Sequence, residues 1–115
     1  MGTFEVTLTI SNPAERTRSS TIGLLVDTGA TLSWVPRPTL ESIGIAPEVK
    51  RRFLLADGRQ VERDTGIATM TLDGVVVGVT VVFAEPAESS ILGATALEAL
   101  GVTVDQSERS CCPAT

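Results

Sequence analysis

The 115-residue sequence contains no histidine, and Lys50 is its only lysine. Without histidine, no Ser-His or Cys-His pair can activate a nucleophile. The two cysteines, Cys111 and Cys112, are adjacent, so they form no disulfide framework, and no histidine is present to complete a zinc site with them. Any acid–base chemistry must therefore come from carboxylates or from Lys50, and we expect no metal centre.

Aromatic residues are also scarce, at 3% of the chain, although 43% of it is hydrophobic. The core must therefore be built from aliphatic side chains, and the many β-branched residues favour strands. The net charge of −5 and the lack of a basic cluster argue against nucleic-acid binding. No apolar run approaches the roughly 20 residues of a membrane span, and no signal pattern is visible. We expect a soluble cytoplasmic protein without a membrane partner, although a piece of a longer chain would look the same.

The N-terminal half has the periodicity of strands. Alternating apolar residues predict a first strand at residues 4–10, and an apolar run predicts a second at residues 21–26, with a polar loop between them. Residues 32–38 are expected to be extended at best because of their prolines, and residues 39–44 could form one helical turn.

Two Asp-Gly pairs, Asp57-Gly58 and Asp73-Gly74, predict hairpin turns because these residue types tolerate positive φ. The strands that flank these turns are expected at residues 53–56, 60–63, 67–72 and 75–83. Residues 94–100 fit a short helix capped by Gly101, followed by a strand at residues 102–104. About seven strands and one helix indicate an all-β class in a single domain of residues 1–104, and we expect residues 105–115 to be a disordered tail.

The turn Asp27-Thr28-Gly29-Ala30 follows directly on the second strand, which delivers a carboxylate into it. A plain Asp-Thr-Gly turn at a strand end is common, so the motif alone also fits a structural role. A second feature lies near the C-terminus, where two apolar residues and a glycine, Ile91-Leu92-Gly93, precede the helix.

In this order, the Asp-Thr-Gly-Ala turn, the mid-chain hairpin and the hydrophobic-hydrophobic-Gly sequence resemble the retropepsin-type aspartic peptidases. This single-domain family includes retroviral proteases and their bacterial relatives. The resemblance covers roughly residues 4–104, and residues 55–59 and 92–98 look especially like the bacterial branch. It implies a small closed, barrel-like acid-protease fold with one short C-terminal helix, active as a homodimer. It also implies an endopeptidase that hydrolyses extended peptides or proteins at apolar positions without metal or organic cofactor.

The resemblance also implies roles for individual residues. Asp27 would be the catalytic carboxylate, standing beside the Asp27 of a partner chain and activating water with it. Thr28 and Gly29 would support the active-site loop, the first by bonding across the dimer and the second by letting backbone lie close to the carboxylates. Leu92 and Gly93 would pass beneath this loop.

Four residues would contact the substrate: Ala30, Asp57, Gly58 and Phe83. Ala30 would be small where the peptide backbone passes, and the hairpin at Asp57-Gly58 would be a flap that closes over the cleft. Val26 and Ile91 would line the cleft with Phe83, whereas Trp34 is interpreted first as a packing residue and second as a pocket wall.

Glu85 and Glu88 flank Pro86 in a loop that borders the substrate pockets of this family. These glutamates are either plain loop charges, or they favour a basic substrate residue some distance from the cut.

Two features depart from the retroviral pattern. The flap tip is Asp57-Gly58-Arg59 instead of a glycine-rich segment, and the stretch after Val104 is polar, so the dimer could be weak or differently built. Two other functions therefore stay open: a catalytically silent peptide-binding module of the same fold, and a structural β-domain in which Asp27 only makes a turn. Hydrolysis of peptides by the chain would distinguish a peptidase from the silent peptide-binding module. A chain that stays monomeric would favour the structural β-domain.

Overall fold

The computed structural model describes residues 5–55, 57–105 and 110–113 of the chain. Within these ranges the chain forms nine strands and two short helices. The strands are β1 (Glu5–Asn12), β2 (Glu15–Val26), β3 (Ser33–Pro36), β4 (Val49–Leu54), β5 (Gln60–Leu72), β6 (Val75–Ala84), β7 (Ile91–Leu92), β8 (Val102–Asp105) and β9 (Ser110–Pro113), and the helices are α1 (Arg37–Ser42) and α2 (Ala94–Leu100). The all-β class is confirmed. Neither helix of the described ranges is long and apolar enough to cross a membrane.

Seven strands form one sheet in the order β1-β2-β7-β3-β6-β5-β4, and β1 also pairs with β5. This extra pairing closes six of the strands into a ring, while β4 extends outward from the first half of β5. The short β7 lies between β2 and β3, parallel to the former and antiparallel to the latter. A hairpin of β4 and β5 therefore projects from a ring whose interior holds the core.

The core is aliphatic, as the composition requires. Its largest fully buried side chain is Phe83, surrounded by residues such as Ile10, Leu24, Met70 and Leu92, each with 0% exposure. Each buried aliphatic side chain of this size contributes about 1.5–3 kcal/mol relative to an exposed one. Packing of these side chains therefore stabilises the ring and fixes the positions of the residues at its edge.

Both predicted Asp-Gly hairpins are present. Gly58 has φ of 90° in the β4–β5 turn, and Asp73 and Gly74 have φ of 50° and 82° in the β5–β6 turn. The successive positive φ values of Asp73 and Gly74 give the β5–β6 turn the geometry of a type I′ turn, which matches the twist of a hairpin. The β4–β5 hairpin is the element that the sequence predicted as a flap.

The β1–β2 connection corrects the prediction of a polar loop up to about residue 20. β2 begins at Glu15, and its polar first half pairs with β1 through partners such as Ser11 and Ser19. Asn12 makes the tight turn, since its Oδ1 accepts a hydrogen bond from the Ala14 N–H at 2.9 Å. The segment lacks alternation because both of its faces are largely exposed. Two further boundaries were also wrong. The strands predicted at residues 60–63 and 67–72 are one continuous strand, β5. The helical turn predicted at residues 39–44 is α1, which begins at Arg37.

The C-terminal helix was predicted with its correct bounds. α2 ends at Leu100, and Gly101 adopts the left-handed conformation, with φ of 69°. β8 and β9 then pair as a separate two-stranded antiparallel sheet. Residues 1–4, Ala56, residues 106–109 and residues 114–115 lie outside the described residues. Residues 110–113 form β9, so the expected disorder of residues 105–115 does not hold for this segment. The domain boundary at residue 104 stays a prediction.

Candidate active site

The Asp27 turn is fixed by backbone hydrogen bonds on both sides. β2 delivers the chain to it alongside β7, with Val26 opposite Leu92, and the Asp27 N–H donates to the Leu92 carbonyl at 3.0 Å. The Ala30 N–H then donates to the Asp27 carbonyl at 3.1 Å. The carboxylate itself is oriented because its Oδ1 accepts from the Gly29 N–H at 2.9 Å. Asp27 is exposed, so the turn presents a positioned carboxylate at the surface of the chain.

The backbone around Gly93 crosses directly beneath this turn. A Cβ at Gly93 would lie 2.6 Å from the Leu32 carbonyl oxygen and 2.9 Å from that of Ala30, so only glycine fits without a shift. The Gly93 N–H donates to Ser33 Oγ at 2.9 Å, and Ser33 is 1% exposed. Ser33 is therefore a buried anchor beneath the Asp27 turn that the sequence did not single out.

The start of α2 is capped by the same loop. The Ala94 N–H donates to the Ala30 carbonyl at 2.7 Å, and the Thr95 N–H donates to the Thr31 carbonyl at 3.1 Å. The first N–H groups of a helix lack partners within the helix, and here loop carbonyls replace the usual side-chain cap. Leu92 lies at this crossing and is fully buried.

A cleft of about 850 Å³ opens over the Asp27 turn, below the β4–β5 hairpin. Trp34 and Phe53 join its two sides, with ring centroids 5.2 Å apart in an edge-to-face arrangement. Such an aromatic pair contributes about 0.5–1.5 kcal/mol beyond burial, which ties the hairpin to the ring. The lining residues are Asp27, Gly29, Ala30, Thr31, Leu32, Trp34, Arg51, Arg52, Phe53, Leu54, Leu55, Arg59, Glu88, Ser89 and Ile91.

Several predicted site residues meet in this cleft, namely Asp27, Gly29, Ala30 and Ile91. Thr28 is exposed within the same turn. Asp57 and Gly58 form the exposed tip of the hairpin, between Leu55 and Arg59, which both line the cleft. Trp34 is a wall of the cleft, a role that the sequence interpretation ranked second.

Phe83 does not fit its predicted contact with the substrate. Its ring is 0% exposed within the core, and the Arg37 guanidinium lies 5.0 Å from the ring centroid. A fully buried ring cannot touch a peptide in the cleft. Strand β6 explains the error, because its last four residues, 81–84, are all buried and alternation gives no sign of which side faces the cleft.

Glu88 is in the cleft but is not a free carboxylate. The Arg63 guanidinium binds the Glu88 carboxylate through two hydrogen bonds, with Nε 3.0 Å from Oε1 and Nη2 2.7 Å from Oε2. These hydrogen bonds lower the pKa of Glu88 below its ordinary value, although burial opposes them. Oε1 also accepts from the Glu85 N–H at 2.9 Å, which folds the loop on itself.

Arg37 makes a second link between the hairpin and this loop. Its Nη2 lies 2.7 Å from Asp64 Oδ2 and 3.4 Å from Glu85 Oε2. The hydrogen bond from Arg37 lowers the pKa of Asp64. Both loop glutamates thus have arginine partners, which removes the basis for the predicted attraction of a basic substrate residue.

The hairpin tip is held by its own charges. Arg59 donates to Asp57 through both its backbone N–H, at 3.0 Å, and its Nε, at 2.7 Å, and these bonds lower the pKa of Asp57. The Leu55 N–H donates to the Arg59 carbonyl at 2.8 Å. The tip therefore has an internal support that a glycine-rich segment would not have.

No group of three or more histidine, cysteine, aspartate or glutamate residues in the described ranges is arranged to hold a metal ion. The chemistry that these residues offer is that of an oriented, exposed carboxylate at the floor of a cleft. A cleft covered by a hairpin suits an extended chain, because the hairpin adds backbone hydrogen-bonding groups above it.

Comparison with known proteins places this arrangement in context. A protein-family model described as aspartyl protease matches residues 6–96. Among solved structures, EIAV protease complexed with the inhibitor HBY-793 matches with a TM-score of 0.63 at 17% sequence identity, over 90% of this chain and 93% of the other. At this identity the likeness establishes the fold, so the predicted retroviral-protease fold is confirmed. A search of curated protein sequences gave no match.

Proposed function

The chain belongs to the aspartyl protease family, and we propose that it is an endopeptidase active as a homodimer, in which the Asp27 carboxylates of two chains form the catalytic pair. The observation that carries the proposal is the Asp27 turn, with its carboxylate fixed by the Gly29 N–H, exposed, and placed at the floor of a peptide-sized cleft. Aspartic proteases are the standard example of two carboxylates that share one proton because both cannot ionise at close range.

In the proposed mechanism the ionised Asp27 accepts a proton from a water molecule, which attacks the scissile carbonyl carbon. The protonated Asp27 of the other chain donates its proton to the carbonyl oxygen, giving a tetrahedral diol. Collapse of the diol breaks the carbon–nitrogen bond: the leaving nitrogen takes up the proton of the Asp27 that deprotonated the water, and a diol hydroxyl returns its proton to the other Asp27, which leaves a carboxylic acid, an amine and the pair with its one proton. Each chain contributes one carboxylate, so the complete site requires two copies.

The surrounding residues would support this pair. Thr28 lies exposed beside Asp27, where a bond to the partner chain would hold the two turns together. Leu92, Gly93 and Ser33 form the rigid base below, and a displaced carboxylate would lose the geometry that catalysis needs.

The substrate would be an extended peptide or protein segment that binds along the cleft. Ile91, Leu32, Trp34 and Leu54 give the cleft an apolar part, which favours apolar side chains at the cut. The β4–β5 hairpin, with Asp57 and Gly58 at its tip, would act as the flap. We place the enzyme in the bacterial branch of the family, as a cytoplasmic single-domain protease of residues 1–104 followed by a tail at residues 105–115.

Replacement of Asp27 by asparagine tests the proposal. The asparagine side chain keeps an Oδ1 that can accept the Gly29 N–H, so the fold should persist, whereas activity on a mixed peptide library should fall by about 10²-fold or more. The matched control is Asp73→Asn, in an exposed turn where asparagine tolerates the positive φ. Unchanged activity in Asp27→Asn, with correct folding by circular dichroism, would refute the proposed mechanism.

A further inference from the structure

The hairpin above the cleft carries an unusual cross-strand pair of like charges. In the β4–β5 register Arg51 lies directly opposite Arg63, and two positions further on Phe53 lies opposite Val61. Side chains two positions apart on a strand share a face, so Arg51 is on the same face as Phe53. Phe53 packs against Trp34, and both residues line the cleft, so this face of the hairpin borders the cleft.

Like charges directly opposite in a sheet destabilise it unless an anion lies nearby. Arg63 has its anion, because Glu88 binds it in a forked pair at 2.7–3.2 Å. Glu88 is thereby occupied, and within the described residues no carboxylate lies within 4.0 Å of the Arg51 guanidinium.

The neighbouring cations make Arg51 exceptional. Four of them have a carboxylate within 4.0 Å: Lys50 with Asp64, Arg52 with Glu62, Arg59 with Asp57, and Arg63 with Glu88. Arg51 is exposed, lines the cleft and lacks such a partner among the described residues. In a chain of net charge −5, this leaves an uncompensated positive charge in the cleft.

We propose that Arg51 is a specificity-determining residue that binds an acidic side chain of the peptide substrate. A guanidinium binds a carboxylate through two parallel hydrogen bonds, so Asp or Glu is the side chain it selects. The proposal rests on the proposed peptidase function. In a homodimer the two-fold axis would place one Arg51 on each side of the cut, so the preference should appear on both sides of the scissile bond.

The preference should be modest and sensitive to salt. Ion pairs at exposed sites favour the matched partner by about 1.5- to 5-fold, and ionic screening weakens them. The sequence-based expectation from Glu85 and Glu88 has the opposite sign, since it favours lysine in the substrate. Comparison of acidic and basic peptides therefore separates the two directly.

The test measures binding to the Asp27→Asn variant, so that no cleavage is needed. Fluorescence anisotropy would give Kd for one apolar peptide that carries Glu, Gln or Lys at each flanking position in turn, at low and high ionic strength. We expect the Glu peptide to bind more tightly than the Lys peptide at one flanking position on each side of the scissile bond. Adding Arg51→Gln should abolish this difference, whereas Arg51→Lys should keep only part of it, because lysine retains the charge but not the two parallel hydrogen bonds.

The control is Arg16→Gln, which removes the same charge from an exposed position on β2 that does not line the cleft. Arg16→Gln should leave the ratio of the Glu and Lys affinities unchanged. Tighter binding of the Lys peptide, or a ratio that Arg51→Gln leaves unaltered, would overturn the proposal. Failure of the native chain to hydrolyse any peptide would instead refute the peptidase function, and the binding ratio would still decide the role of Arg51.

Discussion

At Gly93 the backbone below the Asp27 turn passes so close to the carbonyl groups of Leu32 and Ala30 that no Cβ fits between them. Gly93→Ala would place a methyl group 2.6 Å from the Leu32 oxygen, and since the obstacle is backbone, the turn itself would have to move. Overpacking of this kind costs about 1–3 kcal/mol of unfolding free energy. We expect urea denaturation to show that loss, together with a fall in kcat.

Gly78→Ala is the matched control for that substitution. Gly78 lies in β6, no atom lies within 4 Å of the position that a Cβ would take there, and its φ is not positive. Alanine is more favourable than glycine in a strand interior by about 0.5–1 kcal/mol, so stability should be unchanged or slightly higher. Equal stability of the two alanine variants would show that the close approach at Gly93 does not constrain the turn.

The positions of single residues could be predicted from the sequence where a local motif requires particular residue types. The Asp27 turn and the Leu92-Gly93 crossing could be recognised because each needs particular residue types at fixed positions. Ser33 could not, since a serine in a strand carries no sign of the distant N–H that it accepts from. Phe83 was placed in the cleft wrongly because burial of successive β6 residues hides the direction in which each one points.

Among the elements, those with local signals were predictable. The two Asp-Gly hairpins and α2 with its Gly101 cap follow from conformations that few residue types accept. The early start of β2 did not follow, because that polar strand is stabilised by pairing with β1 and not by its own pattern. The uncompensated charge of Arg51 also needed the β4–β5 register, which no single segment contains.

The link between the hairpin and the 85–88 loop should make stability depend on pH. The pKa of Glu88 is lowered in the folded chain, so its contribution is present above the ordinary value of 4.5 and is lost as pH falls through the lowered pKa. Glu88→Gln should destabilise the protein by about 1 kcal/mol near neutral pH. The Tm difference from the native chain should narrow progressively in acid.

Glu48→Gln serves as the control for the pH series, since Glu48 is exposed and makes no side-chain ion pair among the described residues. Its Tm should follow that of the native chain at every pH. If the Tm difference between Glu88→Gln and the native chain were constant from neutral pH into acid, the Arg63–Glu88 pair would not be a source of the pH dependence.

On the scale of the whole molecule, one chain is half of the proposed site. It offers one Asp-Thr-Gly turn, whose Asp27, Thr28 and Gly29 are all exposed at the surface. A shared proton requires a second carboxylate within a few Å, and the two-fold axis of the proposed homodimer would supply it with an identical turn. Under the proposed function, the exposed turn, the cleft and the projecting hairpin would form a complete catalytic site only where two copies meet at Asp27.

Subunit mixing tests this requirement most directly. Native chain would be incubated with an equal amount of Asp27→Asn at a concentration where sedimentation shows dimers, and hydrolysis would be measured after exchange. Because half of the native chains should then be paired with the variant, we expect activity per native chain to fall by about half. An equal amount of Asp73→Asn should not lower the activity per native chain. If mixing with Asp27→Asn also left activity per native chain unchanged once exchange was shown, a catalytic site built from two Asp27 residues would be contradicted.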